Sequence, residues 1–345
     1  MSDTQPRGAT AEMGAKTNPF DTLHQTAYGH WLARCLHVVA YLGVADALDE
    51  DTPRTGSDLA AAVGAHPDAL GRVLRLLAAH GIFEMQGSDT FRHSPASRLL
   101  RTDHPQSMRA YVQLPGLPII WTSCGEMEHS VRTGLPAASE VFPGGFWEYL
   151  THHPEEGRVF NAAMAARAQD AISGILASYD FSGFGLIGDI GGGSGHLLHA
   201  VLDTAPGAKG VLFDLPHVIE EAAGVASERL TLQAGDFFRD ALPTCDAYLL
   251  MEIIHDWADE EAVAILQAIR RAAPAHAKLL VIEAIVPDDP GPDWPKMLDI
   301  IMLTLFGSRQ RTQQEYEALL AQSGFVLQRE IDTRAGISIL EARAT

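Results

Sequence analysis

The stretch Leu186-Ile-Gly-Asp-Ile-Gly-Gly-Gly-Ser-Gly-His196 decides how the rest of the chain is read. The apolar run from Phe184 to Ile190 is too short for a helix and suits a strand buried on both faces. A glycine cluster and an amphipathic segment follow, so the order is strand, tight turn, helix. Glycines let backbone approach a ligand closely, and the N-terminus of the next helix turns free N–H groups toward it. The dinucleotide fingerprint, with glycines at offsets of zero, two and five, fails here: counted from Gly191 it meets Gly193 and then His196. No Lys or Arg stands in the turn to meet a phosphate. The spacing favours a nucleotide-type ligand with an amino group and no phosphates, held around Asp189, Gly191 and Gly193.

Downstream of this turn, short apolar runs at 210–213, 230–234, 247–251 and 278–282 alternate with helical segments. That alternation predicts an α/β fold with a doubly wound, mostly parallel sheet. Thr312-Gln-Gln-Glu315 is a capping box that opens a helix stopped by Gly324. Runs at 325–331 and 337–342 then face each other across a turn, so the sheet is expected to end in an antiparallel hairpin with one antiparallel strand. Ligands of such sheets bind beyond the carboxyl ends of the strands. Asp214 closes the second run and suits two ribose hydroxyls. Asp236, after the third, suits the exocyclic amine of an adenine, with Phe237 on the ring face. Acids without a phosphate cradle fit an adenosine that carries positive charge, and S-adenosyl-L-methionine is such a molecule. The fourth run ends in Met251-Glu-Ile-Ile-His-Asp-Trp257 and the fifth in Val281-Ile-Glu283. His255 and Glu283 therefore fall just past the ends of neighbouring strands, where a carboxylate fixes the imidazole tautomer and favours its protonated form.

Upstream, residues 1–17 are small and polar and read as a disordered leader. Apolar residues return at helical spacing from Phe20 to Leu48, which predicts a helical pair buried against another surface. A short capped helix at 57–64, a second at 67–80 and a hairpin at 82–92 have the order of a winged helix. Its would-be recognition helix offers only Arg72 and Arg75 beside Asp68, too few cations for groove docking, so a packing or dimerisation role is preferred. Residues 105–178 read as linking helices broken at Pro115-Gly-Leu-Pro118 and Pro143-Gly-Gly145. Phe160 and Met164 stand one turn apart there, a spacing that marks core more often than pocket. The expected division is a leader over 1–17, a winged-helix dimerisation domain over 18–104, linking helices with the acceptor pocket over 105–178, and a cofactor-binding domain over 179–345.

Composition narrows the function classes. The chain has 345 residues, 46% of them hydrophobic, and a net charge of −19, which disfavours nucleic acid and anionic lipid as partners. No stretch approaches the ~20 apolar residues of a membrane span, so a cytoplasmic protein is expected. Cys35, Cys124 and Cys245 match no metal or disulfide spacing and are read as packing residues; no metal site is expected.

Taken in order, Asp189-Ile-Gly-Gly-Gly-Ser-Gly195, Phe213-Asp-Leu-Pro-His-Val218, Gly235-Asp-Phe-Phe238, His255-Asp-Trp257 and Arg311-Thr312 with its following helix resemble the small-molecule O-methyltransferases. That family comprises the plant caffeate and flavonoid enzymes and bacterial relatives acting on aromatic polyketides. The resemblance spans nearly the whole chain. It implies a class I methyltransferase domain, a homodimer with interlocked N-terminal helices, S-adenosyl-L-methionine as donor and a small aromatic acceptor. It also implies that Gly191, Asp214, Asp236 and Phe237 hold the cofactor, that His255 is the general base oriented by Glu283, and that Asp256, Met164 and Met302 touch the acceptor, with Phe160 beside them. Two positions depart from the family pattern: Met251 stands where the plant enzymes have a lysine near the adenine, and Gln310 where a glutamate usually completes a carboxylate, imidazole, carboxylate set. Gln310 is expected to accept a hydrogen bond from the imidazole without bringing charge. Two rival readings are a relative that uses the cofactor for another reaction, such as hydroxylation, and a winged-helix regulator that senses a metabolite.

Overall fold

The computed structural model describes residues 18–345, so the leader expected over 1–17 lies outside the described residues. Two compact units divide between Gln113 and Leu114. In the first, α1 (Pro19–Leu42) is capped by the Asn18 side chain, which accepts from the Phe20 N–H at 3.1 Å. The helical pair expected over 20–48 is this one helix. Gly43 ends it in the left-handed conformation (φ 72°), and Val44, Ala45 and Leu48 tuck into the core as turns. Next come β1 (Arg54–Thr55), α2 (Gly56–Val63), α3 (Pro67–Ala79), β2 (Phe83–Gln86) and β3 (Thr90–His93). The three strands pair in the order β1-β3-β2, which makes the expected winged helix with a small third strand. Leu59, Leu74, Leu77, Phe83 and Phe91 fill its core. By contrast, Phe20, Leu23, Tyr28, Trp31 and Tyr41 of α1 are 57–78% exposed.

The second unit begins with helices. Among them, Pro118–Gly125, Gly145–His152 and Pro154–Ser178 carry Ile119, Phe146, Tyr149 and Phe160, which pack with Leu305 and Phe306 from the later helix Trp294–Phe306. The expectation that all three cysteines pack inside is corrected here. Cys245 is buried and Cys35 partly so, but Cys124 is exposed, because only Ile119 and Ser123 of its short helix turn inward.

The strands that follow are β4 (Leu186–Ile190), β5 (Lys209–Asp214), β6 (Leu230–Ala234), β7 (Ala247–Met251), β8 (Lys278–Glu283), β9 (Phe325–Asp332) and β10 (Ser338–Ala344). They form one sheet in the order β6-β5-β4-β7-β8-β10-β9. All pairs from β6 to β8 are parallel, and β10 runs antiparallel to both its neighbours. Side chains alternate across the sheet, so Tyr248, Leu250, Leu279 and Val281 enter one core and Leu249, Leu280 and Ile282 the other. Helices cover both faces of the central strands, which explains why β7 and β8 are apolar almost throughout, whereas the edge strands β6 and β9 carry polar residues. The order reverses beside β4, whose neighbours are β5 and β7, and that reversal opens a crevice at the carboxyl ends of these strands.

Candidate active site

The glycine turn lies at this crevice. Gly191, Gly193 and Gly195 have φ of 72°, 57° and 74°, values that side chains disfavour, and Gly195 leads into the helix His196–Thr204. Gly192 is required for a different reason: a Cβ there would stand 2.5 Å from the carboxyl carbon of Asp189. Asp189 thus sits behind the turn. It is 1% exposed, its Oδ2 has no hydrogen-bond partner, and burial, reinforced by Asp214, pushes its carboxyl up to about 7. It supports the turn from beneath, whereas Asp214 borders it. Asp214 accepts from the Gly193 N–H at 2.8 Å and the Leu215 N–H at 2.7 Å, one bond to each oxygen, which leaves lone pairs free for hydroxyls.

Asp236 follows β6 and accepts from the Phe238 N–H at 2.9 Å. Phe237 is partly buried, edge-on to Phe238 and Trp257 with centroids 4.8 and 5.8 Å away, so it packs in an aromatic corner. Met251 is the last residue of β7. Arg239 Nε lies 3.5 Å from Asp236 Oδ2, but the glycine turn itself carries no Lys or Arg, and carboxylates around such a turn suit an adenosyl group bearing a sulfonium and an amine better than a phosphate.

His255 stands on a short 3₁₀ turn, Ile254–Asp256, just past β7, and is 6% exposed. Glu283, the fully buried last residue of β8, holds both ring and turn. Its Oε2 lies 2.7 Å from His255 Nδ1, and its Oε1 accepts from the Ile254 and His255 N–H groups at 2.9 and 3.2 Å. With Nδ1–H donating to the carboxylate, Nε2 becomes the basic nitrogen. Asp256 Oδ1 lies 3.4 Å from Nε2. Burial alone would lower the imidazole pKa, but Glu283 and Asp256 outweigh it and raise it well above 6.5.

The remaining expected contacts are dispersed. Phe160 joins Phe146, Trp147 and Phe306 in an aromatic cluster with centroids 5.0 to 5.5 Å apart. Met164 is half-buried one turn further along the same helix. Met302 is 6% exposed and packs on Leu298 and Ala284, the residue after Glu283. The expectation for Gln310 is corrected. Its side chain is 2% exposed and neither amide atom has a partner, so it takes no hydrogen bond from His255. The ring already spends Nδ1 on Glu283. Two further residues at the site have no role assigned to them by the sequence. Glu252 adopts a left-handed φ of 53° right after β7 and pairs with Arg167 at 2.6 Å. The only sequence signal was helical spacing, since Arg167 lies three residues after Met164. Arg311 is the other, a 1% exposed cation behind the histidine turn.

An open sheet with a glycine turn at its switch point, acids at the strand ends and an imidazole–carboxylate pair alongside defines a methyltransferase-type α/β enzyme. The comparisons agree. The O-methyltransferase domain pattern matches residues 125–326, and the O-methyltransferase dimerisation domain pattern matches 24–103. A phenazine O-methyltransferase of Lysobacter antibioticus is 40% identical over 93% of this chain and 95% of that one. An 8-amino-8-demethylriboflavin N,N-dimethyltransferase of Streptomyces davaonensis is 38% identical over 85% of this chain and 86% of that one. The solved structure of an O-methyltransferase from neocarzinostatin biosynthesis, in complex with S-adenosylmethionine and 2-hydroxy-5-methyl naphthoic acid, is 31% identical, has a TM-score of 0.78 and covers 96% of this chain and 100% of that one. This chain belongs to the S-adenosylmethionine-dependent O-methyltransferase family. Among the described residues no helix is long and apolar enough to cross a membrane.

Proposed function

We propose that this enzyme methylates a hydroxyl, phenolic or enolic, on a small, flat aromatic acceptor, with His255 as general base. The observation that carries this reading is the 2.7 Å contact between His255 Nδ1 and Glu283 Oε2 at adjacent strand ends beside the glycine turn. A phenol has a pKa of about 10 and is a poor nucleophile while protonated. Nε2 takes its proton, and Glu283 stabilises the imidazolium so formed. Bound S-adenosylmethionine supplies an electrophilic methyl group; Asp214, Asp236, Phe237 and the backbone of Gly191 and Gly193 hold it, with Met251 lining the adenine side. Phe160, Met164, Met302 and Asp256 face the acceptor in this reading, and the aromatic cluster gives a ring surface to stack on. Gln310 joins them: a buried amide with both atoms unpaired is costly unless a ligand uses it. The dimerisation-domain match and the exposed apolar face of α1 support a homodimer.

The test is to replace His255 by Ala. Turnover, followed as S-adenosylhomocysteine with an acceptor of ordinary phenolic pKa, should fall by about 10² to 10⁴. Cofactor affinity should hold. Because the base must be neutral and its pKa is raised, kcat/KM of the unaltered enzyme should climb through an acid limb above 6.5. Full turnover in the variant, or methylated amine in preference to methylated hydroxyl, would overturn the reading.

A further inference from the structure

We propose that Arg311 is a positioning residue for the reaction, which sets the histidine turn by gripping its carbonyl side while Glu283 grips its amide side. The inference rests on His255 being the base.

Arg311 precedes the capping box Thr312 to Glu315, and its guanidinium points back under the 3₁₀ turn. Nη1 donates to the Ile254 carbonyl at 3.0 Å and Nη2 to the Trp257 carbonyl at 2.9 Å. These two carbonyls bracket His255. The Ile254 N–H meanwhile donates to Glu283 Oε1 at 2.9 Å. The residue before the base is thus held at both its polar groups, by an anion from β8 on one side and a cation on the other. The Arg311 carbonyl also accepts from the Val286 N–H at 3.0 Å, three residues past Glu283. Both grips therefore belong to one framework, so the distance between the ring and its carboxylate is tied to where Arg311 sits.

The guanidinium itself is fixed. Asp259 Oδ1 accepts from Nε at 3.0 Å and Nη2 at 2.7 Å, and the Tyr316 ring lies 5.9 Å from Cζ. Only a planar fork reaches two carbonyls and a carboxylate together; an ammonium at the end of a flexible stem reaches one geometry at a time. Within the three-residue turn the Ile254 carbonyl accepts a long bond from the Trp257 N–H, at 3.3 Å, so the 3.0 Å bond from Arg311 is the shorter of its two holds. Near-attack geometry is sensitive: a shift of about 1 Å costs up to ~10²-fold in rate.

The experiment compares Arg311→Lys, Asp259→Asn and His255→Ala. Arg311→Lys keeps the charge and loses the fork. We expect kcat to fall by ~10 to 10²-fold, with KM for the cofactor unchanged. The acid limb of kcat/KM should also move down toward 6.5, because a loosened turn weakens the hold of Glu283 and Asp256 on the imidazole. The other charged or titratable groups packed there are Tyr316, Asp259 and Arg311 itself; the Lys variant keeps the first two and replaces the third by a group of the same charge. Asp259 is 61% exposed, so Asp259→Asn folds even where the Lys variant does not. It should show the same direction at about threefold. Folded Lys and Asn variants with unchanged kcat and an unmoved limb, beside an inactive His255→Ala, would overturn the positioning role alone. Full activity in His255→Ala would overturn the base reading with it.

Discussion

Burial pushes the Asp189 carboxyl up to about 7, and the nearby Asp214 adds to the shift. An unfolded aspartate titrates near 3.9. The folded state therefore keeps a proton that the unfolded chain releases, and stability should decline as pH rises from about 4 through 7. Asp189→Asn removes that dependence. Denaturation midpoints at pH 5 and pH 8 should show the variant gaining on the parent at the higher pH; equal differences at both would mean that the carboxyl is solvated or paired. Gln310 presents a related cost without charge. Gln310→Leu should stabilise the free enzyme by about 1 to 3 kcal/mol, since two buried polar atoms no longer lack partners. The same change should raise KM for the acceptor. A gain in denaturation midpoint with KM unmoved would show that the amide serves no ligand. The placement of Asp214, His255 and Glu283 at the crevice was readable from sequence because each lies at or just past the end of an apolar run, and run ends locate the crevice. The Gln310 contact was misjudged because sequence order does not say that Glu283 alone saturates Nδ1. Arg311 belongs to a motif of the resemblance, but its role at the turn was not legible, since two of its partners are backbone carbonyls and the third, Asp259, lies 52 residues away in sequence.

At the scale of elements, α1 is the unfinished one. Leu23, Trp31 and Tyr41 expose most of their area on one helix, where monomeric proteins scatter such residues singly. Trp31→Glu with Tyr41→Glu should turn a dimer into a monomer in sedimentation velocity, with the far-ultraviolet circular dichroism kept. An unchanged sedimentation coefficient would place the subunit contact elsewhere. The strands were legible as elements: 230–234 and 247–251 match the structure at both ends. The central strands β7 and β8 are covered on both faces, so each is a nearly continuous apolar run. The first helix was not legible as one element, because apolar spacing continues through Gly43 into the turns. Periodicity records which side is buried and is blind to a left-handed residue that stops the helix.

The whole molecule is acidic, with a net charge of −19, and two of its buried ionisable groups have opposed partners. Glu283 faces an imidazole and Arg311 a surface carboxylate. The order of the sheet has one more consequence, which concerns synthesis. β10 lies between β8 and β9, so β8 has an open edge until residues 338–344 have been made. That edge belongs to Leu279, Leu280, Val281 and Ile282, an apolar row that invites pairing with another chain. On the ribosome, the strand that carries Glu283 thus waits for the last strand of the sheet, and any nascent chain that stalls between 284 and 337 presents a sticky border for chaperones to cover.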